Sequence, residues 1–325
     1  MNELQKIIID IMKIQHFDSI AVAVLDFSSK KFQSIEYCCK NFYIGPHDND
    51  LLIFDLASIT KPLTNGVVAL KYPQYFLDNQ QLKLLLNHRA GFPSGGRLSK
   101  RTWREDIFSY NISVTPPAST KYSDYSAIRL MLELEKCSGK SYKELLSDDQ
   151  GFLGGNGIYF WKDLNDSLRA KTAPTGERNK KIIQGEVNDD NAFVIDEFLS
   201  HAGLFASADS LCKTLLYLNQ KYNLLQVMRQ EFSKINEQKQ SERFILGWDR
   251  VEDLSKTLAG IGASEHTFGH LGFTGTSCWI DLKKNFGQVI LTNATQKYSY
   301  SRENLNLLRQ EIGKYLWSNG KSILN

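Results

Sequence analysis

The 325-residue sequence predicts an α+β fold in which one antiparallel sheet is built from both ends of the chain. Strand patterns occur near the N-terminus and again near the C-terminus, whereas the long stretch between them is mainly helical. Helical patterns at the two termini predict helices that flank one face of the sheet, so that the inserted helical lobe covers the other. This arrangement leaves a cleft at the junction, which is the usual place for a ligand pocket.

The N-terminal elements follow from two segments. MNELQKIIIDIMKIQHF has apolar residues at helical spacing, broken by charged ones, and predicts an amphipathic helix rather than a signal peptide. The next segment, SIAVAVLDFSSKKFQSIEY, predicts two strands joined by a polar turn at residues 28–31.

The middle and the C-terminal part complete the prediction. NGVVALKY, LKLLLNH, YSAIRLMLELEKCSG, ADSLCKTLLYLNQKY and LLQVMRQEFSKI predict helices. RFILGWDRV, TFGHLGFTGTSCWIDLKK and FGQVILTNA predict three strands with a turn at residues 285–287, and SRENLNLLRQEIGKYLWSNG predicts a helix that ends at Gly320. We therefore expect residues 1–57 with 236–325 to form an α/β sheet domain and residues 58–235 a mainly helical domain, with the active site in the cleft between them.

Composition excludes several classes of protein. The formal charge of +3 is small and dispersed, which argues against a nucleic-acid partner. The five cysteines have no metal-binding spacing and predict buried, reduced thiols, and the six histidines lack the spacing of a metal hydrolase, so we expect no metal and no cofactor. No apolar run reaches the length of a membrane span. We expect a cytoplasmic protein, or a periplasmic or secreted one if an export signal has been removed.

One S-x-x-K pair stands in a distinctive context. Ser58 and Lys61 follow the apolar segment LLIFDLA and precede VVAL, which predicts the buried start of a helix at Ile59 with Pro62 in its first turn. The same spacing recurs at Ser28–Lys31, Ser210–Lys213 and Ser318–Lys321. Those three pairs lie in a turn, on an amphipathic helix and in the C-terminal tail. Exposure to solvent is enough to explain a serine and a lysine at such positions.

The chemistry of such a pair is plausible at a helix start. Unpaired backbone N–H groups and the positive end of the helix dipole favour a serine that develops negative charge. One turn later, Lys61 lies on the same side as Ser58, and a desolvated lysine could take the hydroxyl proton. The structural alternative is a serine helix cap beside a solvated lysine, and it would be preferred if nothing else in the chain fitted.

Two further segments complete an ordered triple. Tyr122-Ser123-Asp124 lies in a loop that leads into a helix, and His270-Leu271-Gly272 lies on a strand. Together with Ser58-x-x-Lys61 they resemble the motifs of the serine β-lactamase and penicillin-binding-protein superfamily, class C-like members in particular. LKLLLNHRAGFP and GEVNDDNAFVIDEFLSHAGLFASADSL also resemble segments of these proteins, and the resemblance extends over residues 20–315. It implies a β-lactamase/transpeptidase-like fold and a serine hydrolase related to esterases, DD-peptidases and muropeptide amidases.

The resemblance also implies catalytic roles. Ser58 would be the acylated nucleophile, Lys61 its neighbouring base, and Tyr122 a second base that passes a proton between serine, leaving group and water. A register shifted to Ser123-Asp124-Tyr125 would imitate the S-D-N motif of class A enzymes, but its third residue is wrong. The structural alternative for Tyr122 is a core-edge tyrosine with a satisfied hydroxyl.

Substrate contacts are implied for both motifs that follow Lys61. Asp124 replaces the usual asparagine and can accept a hydrogen bond from Lys61, which would keep that lysine charged; its structural alternative is a turn or cap residue. His270 replaces the usual lysine, and Gly272 lets the strand backbone approach the substrate. The oxyanion hole would be the backbone N–H of Ser58 with that of Phe273.

Three more residues are candidates on the substrate side. Leu271 stands in place of the motif's threonine, and Thr274 or Thr276 could supply the missing hydroxyl. His201 and Asn191 could line the substrate site, although a hydrogen-bonded structural loop explains them equally well. His88 is expected to fix its own loop.

Two functions follow from these assignments. The first is a serine acyl hydrolase that forms an acyl-enzyme on Ser58 from an amide or ester, such as a peptidoglycan-derived peptide or a small ester. The departures at Asp124 and Leu271 argue against β-lactamase activity itself. The second is a catalytically weakened member of the family that binds peptidoglycan fragments or a partner protein. The oligomeric state stays open.

Overall fold

The computed structural model describes residues 3–14, 17–45, 52–115, 118–147, 153, 155–238, 242–296 and 302–324. The strands are β1 (Ile20–Asp26), β2 (Lys31–Cys38), β3 (Asn41–Ile44), β4 (Phe54–Asp55), β5 (Tyr159–Phe160), β6 (Glu177–Arg178), β7 (Lys181–Ile182), β8 (Leu204–Ala206), β9 (Phe244–Ile245), β10 (Trp248–Arg250), β11 (Thr267–Leu271), β12 (Ser277–Asp281) and β13 (Phe286–Thr292). The α-helices are α1 (Glu3–Met12), α2 (Val67–Lys71), α3 (Gln80–Leu86), α4 (Trp103–Phe108), α5 (Asp124–Ser138), α6 (Tyr142–Ser147), α7 (Asp166–Ala170), α8 (Asp190–Ile195), α9 (Ala208–Tyr222), α10 (Leu224–Gln238) and α11 (Arg302–Ile323).

Both ends of the chain contribute to one antiparallel sheet, which confirms the predicted fold class. Its strand order is β3-β2-β1-β13-β12-β11-β10-β9. The N-terminal and C-terminal parts join where β1 pairs with β13, from Ile20 opposite Thr292 to Asp26 opposite Phe286. This pairing closes most of the chain into one loop between adjacent strands, and the helical lobe is inserted in that loop.

The two faces of the sheet carry separate cores because side chains alternate along each strand. On β1, Ile20, Val22 and Val24 pack with α1 and α11. Ala21, Ala23 and Leu25 face the other way and join the core of the helical lobe, where α9 packs on the sheet. The terminal helices and the inserted lobe therefore cover opposite faces, as predicted.

A second sheet in the helical lobe was not predicted. It has the order β4-β8-β5, and the backbone N–H of Leu56 continues it by donating to Leu204 at 2.9 Å. Strands of two or three residues carry no readable periodicity, which is why the sequence predicted only an apolar segment here. This small sheet determines where the chain leaves β4 and enters the segment that contains Ser58.

Several boundaries differ from the prediction. RFILGWDRV forms two short strands, β9 and β10, and TFGHLGFTGTSCWIDLKK forms β11 and β12. The turn before β13 ends at Asn285 instead of including residues 286 and 287. Helix α11 continues to Ile323 because Gly320 is a packing residue: a Cβ there would lie 2.3 Å from the Phe286 ring.

The cysteine prediction was only partly right. All five are free thiols, but burial holds only for Cys212 and Cys278, whereas Cys38 is partly exposed and Cys39 and Cys137 are exposed.

In the described parts of the chain, no helix is both long enough and apolar enough to cross a membrane.

Candidate active site

Ser58 lies where the chain passes from β4 into a helix. The helical segment begins with a 3-10 turn at Ala57–Ile59, two residues earlier than predicted, and passes through a π-helical stretch at Pro62–Gly66 into α2. Ala57 has a φ of 46°, a left-handed conformation that is costly for a residue with a Cβ. Its N–H donates to the Asp55 side chain at 2.8 Å, which helps to hold this turn.

Asp55 connects the nucleophile segment with the loop on the far side of the cleft. Its second carboxyl oxygen accepts the backbone N–H of Asn188 at 2.7 Å. Burial raises the pKa of this carboxyl to about 6, against the opposing effect of the two backbone hydrogen bonds. The side chain is therefore a buried brace between two segments that both line the cleft.

Lys61 is buried and surrounded by three acceptors. Its Nζ lies 2.9 Å from Ser58 Oγ, 2.7 Å from Asp124 Oδ1 and 3.1 Å from the His201 carbonyl oxygen. An ammonium group has three N–H donors, so every donor of a charged Lys61 is used. Burial acts to lower the pKa of Lys61, but the Asp124 carboxylate and the Tyr122 phenol outweigh it, and the pKa lies above its ordinary value. In this state Lys61 donates to Ser58 and cannot take its proton.

The Tyr122 side chain lines the same cleft as Ser58. Its hydroxyl oxygen is buried and has no hydrogen-bond partner among the described residues, although Lys61 Nζ lies 4.9 Å from its ring centre. Burial raises the pKa of Tyr122, while the Lys61 charge and the hydroxyl of Ser58 act in the opposite direction. The phenol is thus neutral in the free protein, and its oxygen can accept a hydrogen bond.

Packing and hydrogen bonds hold the tyrosine segment in place. The rings of His88 and Phe244 lie 4.8 and 5.8 Å from the Tyr122 ring, centre to centre. His88 Nδ1 accepts the backbone N–H of Ser123 at 3.2 Å, so this histidine fixes its loop as predicted. In the shifted register the tyrosine would be Tyr125, whose side chain is buried outside the cleft with its hydroxyl against Gly96. The arrangement therefore favours the register that uses Tyr122.

His270 faces the site as a neutral ring. Its Nδ1 lies 2.7 Å from the Leu271 carbonyl oxygen, so this nitrogen carries the proton, and Nε2 is buried without a partner in the described part of the chain. Burial lowers the pKa of His270 to about 3, and the nearby Lys61 charge adds to the effect. A neutral ring with a free Nε2 lone pair accepts hydrogen bonds, whereas the lysine of the related motif donates them.

Thr274, predicted to contact substrate, is not among the residues that line the cleft. Thr274 is fully buried and donates to the Asp55 carbonyl oxygen at 2.7 Å. Thr276, the other candidate, is also fully buried and donates to the Leu56 carbonyl oxygen at 3.1 Å. Both hydroxyls tie the β11–β12 turn to the nucleophile segment because the register of the turn directs them inward.

Gly272 and Phe273 lie where the strand edge meets Ser58. A Cβ on Gly272 would lie 2.6 Å from the Leu56 carbonyl oxygen and 1.9 Å from Thr276 Oγ1. Glycine is therefore needed for the close contact with the nucleophile segment, and Gly272 also lines the cleft. Phe273 also lines the cleft, and its side chain is 56% exposed. Ser58, at the start of its 3-10 turn, has an N–H without an intrahelical acceptor. The assignment of the oxyanion hole to these two backbone groups stays a prediction.

His201 and Asn191 both line the cleft, but each is engaged in holding protein structure. His201 Nε2 lies 3.0 Å from Asp189 Oδ1, and its carbonyl accepts from Lys61. The charge and hydrogen bond of His201 outweigh the effect of burial, so the pKa of Asp189 lies below its ordinary value. The Asn191 amide bonds the backbone of Gly96 and Leu98 at both ends, so the protein fixes its orientation.

The cleft has a volume of about 960 Å³, and Ser58 is one of its lining residues. We call residues 57–202 of its lining the helical side and residues 243–309 the strand side. Sequence reasoning missed the following lining residues: Arg97, Asp189, Arg243, Leu258, Asn306 and Arg309. Asp189 lies in a segment that resembles the family, but no motif marks the others. Asn306 and Arg309 reach the cleft from α11, and Arg309 donates to the Gly272 and Thr276 carbonyls.

A known protein family covers nearly the whole of this chain. The family described as Beta-lactamase matches residues 4–311. This chain belongs to the beta-lactamase family. The family consists of serine hydrolases, and the chain is an enzyme of that class. A curated member that resembles it is the N-acetylmuramyl-L-alanine amidase of Bacillus subtilis (strain 168), 36% identical over 117 residues. That match spans 34% of this chain and only 26% of the amidase.

Solved structures of the family share the whole fold. A class C beta lactamase from Rhodobacter sphaeroides aligns with a TM-score of 0.63 and 14% identity over 99% of this chain and 100% of that one. A beta-lactamase/D-alanine carboxypeptidase from Pseudomonas syringae aligns with a TM-score of 0.60 and 16% identity over 95% of this chain and 97% of that one. At these identities the likeness establishes the fold and leaves the substrate open.

Proposed function

We propose that the protein hydrolyses an amide or ester through an acyl-enzyme on Ser58, and that its substrate is a peptidoglycan-derived amide of the muramyl–L-alanine type. One observation carries the catalytic part of the proposal. Ser58 Oγ accepts a hydrogen bond from a charged, fully engaged Lys61 beside the buried, unpartnered hydroxyl of Tyr122. Such a group of side chains is suited to proton transfer between Ser58 and a bound substrate.

The hydrogen bonds of Lys61 and the free hydroxyl of Tyr122 give these two side chains different roles. Lys61 uses its three donors on Ser58, Asp124 and His201, so it stabilises negative charge rather than accepting the serine proton. Tyr122, once ionised beside this ammonium, takes the proton from the Ser58 hydroxyl as the serine oxygen bonds to the substrate carbonyl carbon. The phenol then gives that proton to the leaving nitrogen or oxygen as the scissile bond breaks.

The second half of the reaction reverses these transfers. A water molecule loses a proton to Tyr122 and attacks the acyl carbonyl carbon. The bond from that carbon to the serine oxygen breaks, Ser58 regains a proton from Tyr122, and the acid product leaves. Each half-reaction returns Tyr122 to its starting ionisation state, so no co-reactant other than water is needed.

The strand side of the cleft argues for an amide without a carboxylate next to the scissile bond. His270 presents a neutral acceptor, Leu271 has no hydroxyl, and Thr274 points into the protein. These groups lack the donors that would bind the carboxylate of a β-lactam or of a terminal D-alanine. The cleft volume lies at the upper end of the range for small-molecule sites, which suits a sugar–peptide fragment, and the B. subtilis relative named as a muramyl-alanine amidase supports the same substrate class.

The nucleophile is tested by covalent labelling. The protein is treated with a fluorophosphonate, and the labelled peptide is located by mass spectrometry. We expect a single adduct on Ser58, none in Ser58→Ala, and unchanged labelling in Ser318→Ala, a matched control from another S-x-x-K pair. An adduct on a different residue would contradict the proposal.

The substrate is tested with a panel measured against Ser58→Ala. We expect hydrolysis of N-acetylmuramyl-L-Ala-D-isoglutamine, whose alanine carboxyl is in a peptide bond, and of p-nitrophenyl acetate to exceed hydrolysis of a D-Ala-D-Ala peptide and of nitrocefin. Tight binding of the muramyl ligand to wild type and Ser58→Ala alike, without hydrolysis by either, would instead support the binding-module alternative.

A further inference from the structure

The segment at residues 94–98 forms a fixed bridge along the helical side of the cleft. At its start, the Ser94 carbonyl accepts the backbone N–H of Asp124 at 2.8 Å. A Cβ on Gly96 would lie 2.7 Å from the Tyr125 hydroxyl, so the backbone there lies directly against α5. The bridge is therefore held against the residues that follow Tyr122.

Asn191 holds the other end of this bridge. Its side-chain amide donates to the Gly96 carbonyl at 2.7 Å, and its oxygen accepts the Leu98 N–H at 2.9 Å. These two bonds flank Arg97 on either side along the chain. The backbone of Arg97 is consequently fixed, although its side chain is exposed at the cleft.

Arg97 differs from the other arginines that line the cleft. Arg243 makes two hydrogen bonds of 2.8 Å with Asp249, and Arg309 donates to backbone carbonyls. Arg97 has neither an ion-pair nor a hydrogen-bond partner among the residues that the structure describes. Its guanidinium is therefore available to a ligand in the cleft.

We infer that Arg97 binds an anionic group of the substrate and makes the enzyme selective for carboxylate-bearing acyl amides. The inference rests on the proposed function of Ser58 and specifies the substrate class of that site. A guanidinium binds a carboxylate through two parallel N–H bonds, and the two bonds from Asn191 reduce the ordering that binding requires. The carboxylate lies on the helical side, away from the neutral imidazole of His270, so it belongs to a part of the substrate remote from the bond that breaks.

The experiment compares two substrates that differ only in this charge. N-acetylmuramyl-L-Ala-D-isoglutamine (neutral at its α-carboxyl position, with a free terminal carboxylate) is paired with the same compound amidated at that terminal carboxylate. We expect wild type to have a lower KM for the acid than for the amide, and Arg97→Gln to raise the KM of the acid about three- to tenfold with little change in kcat. The KM for the amide should change less than twofold, and added salt should weaken the preference of wild type.

Two further variants test the geometry. Arg101→Gln removes an exposed arginine from the same stretch without touching the cleft lining and should leave both KM values unchanged. Asn191→Ala keeps the charge of Arg97 but releases its backbone, so it should reproduce part of the KM increase for the acid. Circular dichroism identifies any variant that fails to fold.

Binding measurements make the outcome independent of turnover. In a Ser58→Ala background, calorimetry of the acid and of the amide should show the same charge preference, and Arg97→Gln should remove it. Equal affinity for the two ligands, or an effect of Arg97→Gln no larger than that of Arg101→Gln, would overturn the inference while leaving the function of Ser58 intact. Failure of the fluorophosphonate to label Ser58 would instead refute the proposed function.

Discussion

The two sides of the cleft use their polar side chains in opposite ways. On the helical side, Asp124 and the His201 carbonyl converge on Lys61, which in turn contacts Ser58. On the strand side, the hydroxyls of Thr274 and Thr276 point away from the cleft and hold the backbone of the nucleophile segment. Side chains thus supply the reactive groups on one side, whereas the other side contributes shape, backbone, the neutral imidazole of His270 and two arginines that bond to protein groups.

Among changes on the helical side, Tyr122→Phe should lower activity the most. Removing the phenolic oxygen removes the proposed acceptor of the serine proton, so the rate of Ser58 acylation should fall about 10²- to 10⁴-fold. Fold stability should change little, because the hydroxyl has no hydrogen-bond partner among the described residues. Stopped-flow acylation by an activated ester measures the rate, and thermal unfolding measures stability.

Tyr75→Phe is the matched control for this change. Tyr75 is partly exposed and lies outside the cleft lining, so removing its hydroxyl should leave acylation at the wild-type rate. If Tyr122→Phe retained a rate within a few-fold of wild type, Tyr122 would not be the base, and the helical side would need another proton acceptor.

A smaller effect with a defined direction is expected from Asp124→Asn. The Asp124 carboxylate raises the pKa of Lys61 and also acts to raise that of Tyr122. Its removal lowers both pKa values, so the rising limb of the acylation rate against pH should shift to lower pH, whichever of the two groups loses its proton. Acylation rates measured from neutral to alkaline pH test this shift.

Asp190→Asn serves as the charge-matched control, since Asp190 lines the cleft but pairs with Arg178 and does not contact Lys61. Its profile should coincide with that of wild type. A shift of the Asp124→Asn profile to higher pH would contradict the electrostatic role given to this carboxylate.

On the strand side, Thr274→Val should have the smallest effect on activity. The change deletes the hydroxyl that donates to the Asp55 carbonyl, which should lower the free energy of unfolding by about 1–2 kcal/mol. KM should stay within about twofold of wild type because Thr274 does not line the cleft. Denaturant unfolding and steady-state kinetics separate the two effects.

Thr274→Ser keeps the hydroxyl and should restore most of the lost stability. An increase in KM without any loss of stability in Thr274→Val would mean that this hydroxyl contacts substrate, and the contrast between the two sides would disappear.

The sequence contained enough information to predict the fold and the main residues of the site. Strand patterns near both termini, together with helical spacing in the terminal segments, predicted a sheet assembled from both ends, and the pairing of β1 with β13 confirms it. Ser58, Lys61 and Tyr122 were found from motif order, and all three lie together in the structure, although their catalytic roles stay predictions.

The remaining features depend on tertiary register, which no local pattern encodes. Thr274 lies in a turn whose direction is set by the pairing of β11 with β12, so its inward orientation could not be predicted from composition. The Asn191 side chain bonds to the backbone of Gly96 and of Leu98, the two neighbours of Arg97, which are more than 90 residues away in the chain. The sequence left Asn191 open between a substrate contact and a structural loop residue, because a polar residue beside a cleft gives no sign of which backbone it will bind.

The hydrogen bond from Thr276 to Leu56 joins positions 220 residues apart, and the reactive cleft is assembled from contacts of this long-range kind. Contacts with such separations form late because the chain must first be ordered on both sides of them. During refolding, compactness and helix content should therefore recover before the ability to capture a fluorophosphonate does. Covalent capture of the serine is, for this reason, a stringent reporter of the fully native topology.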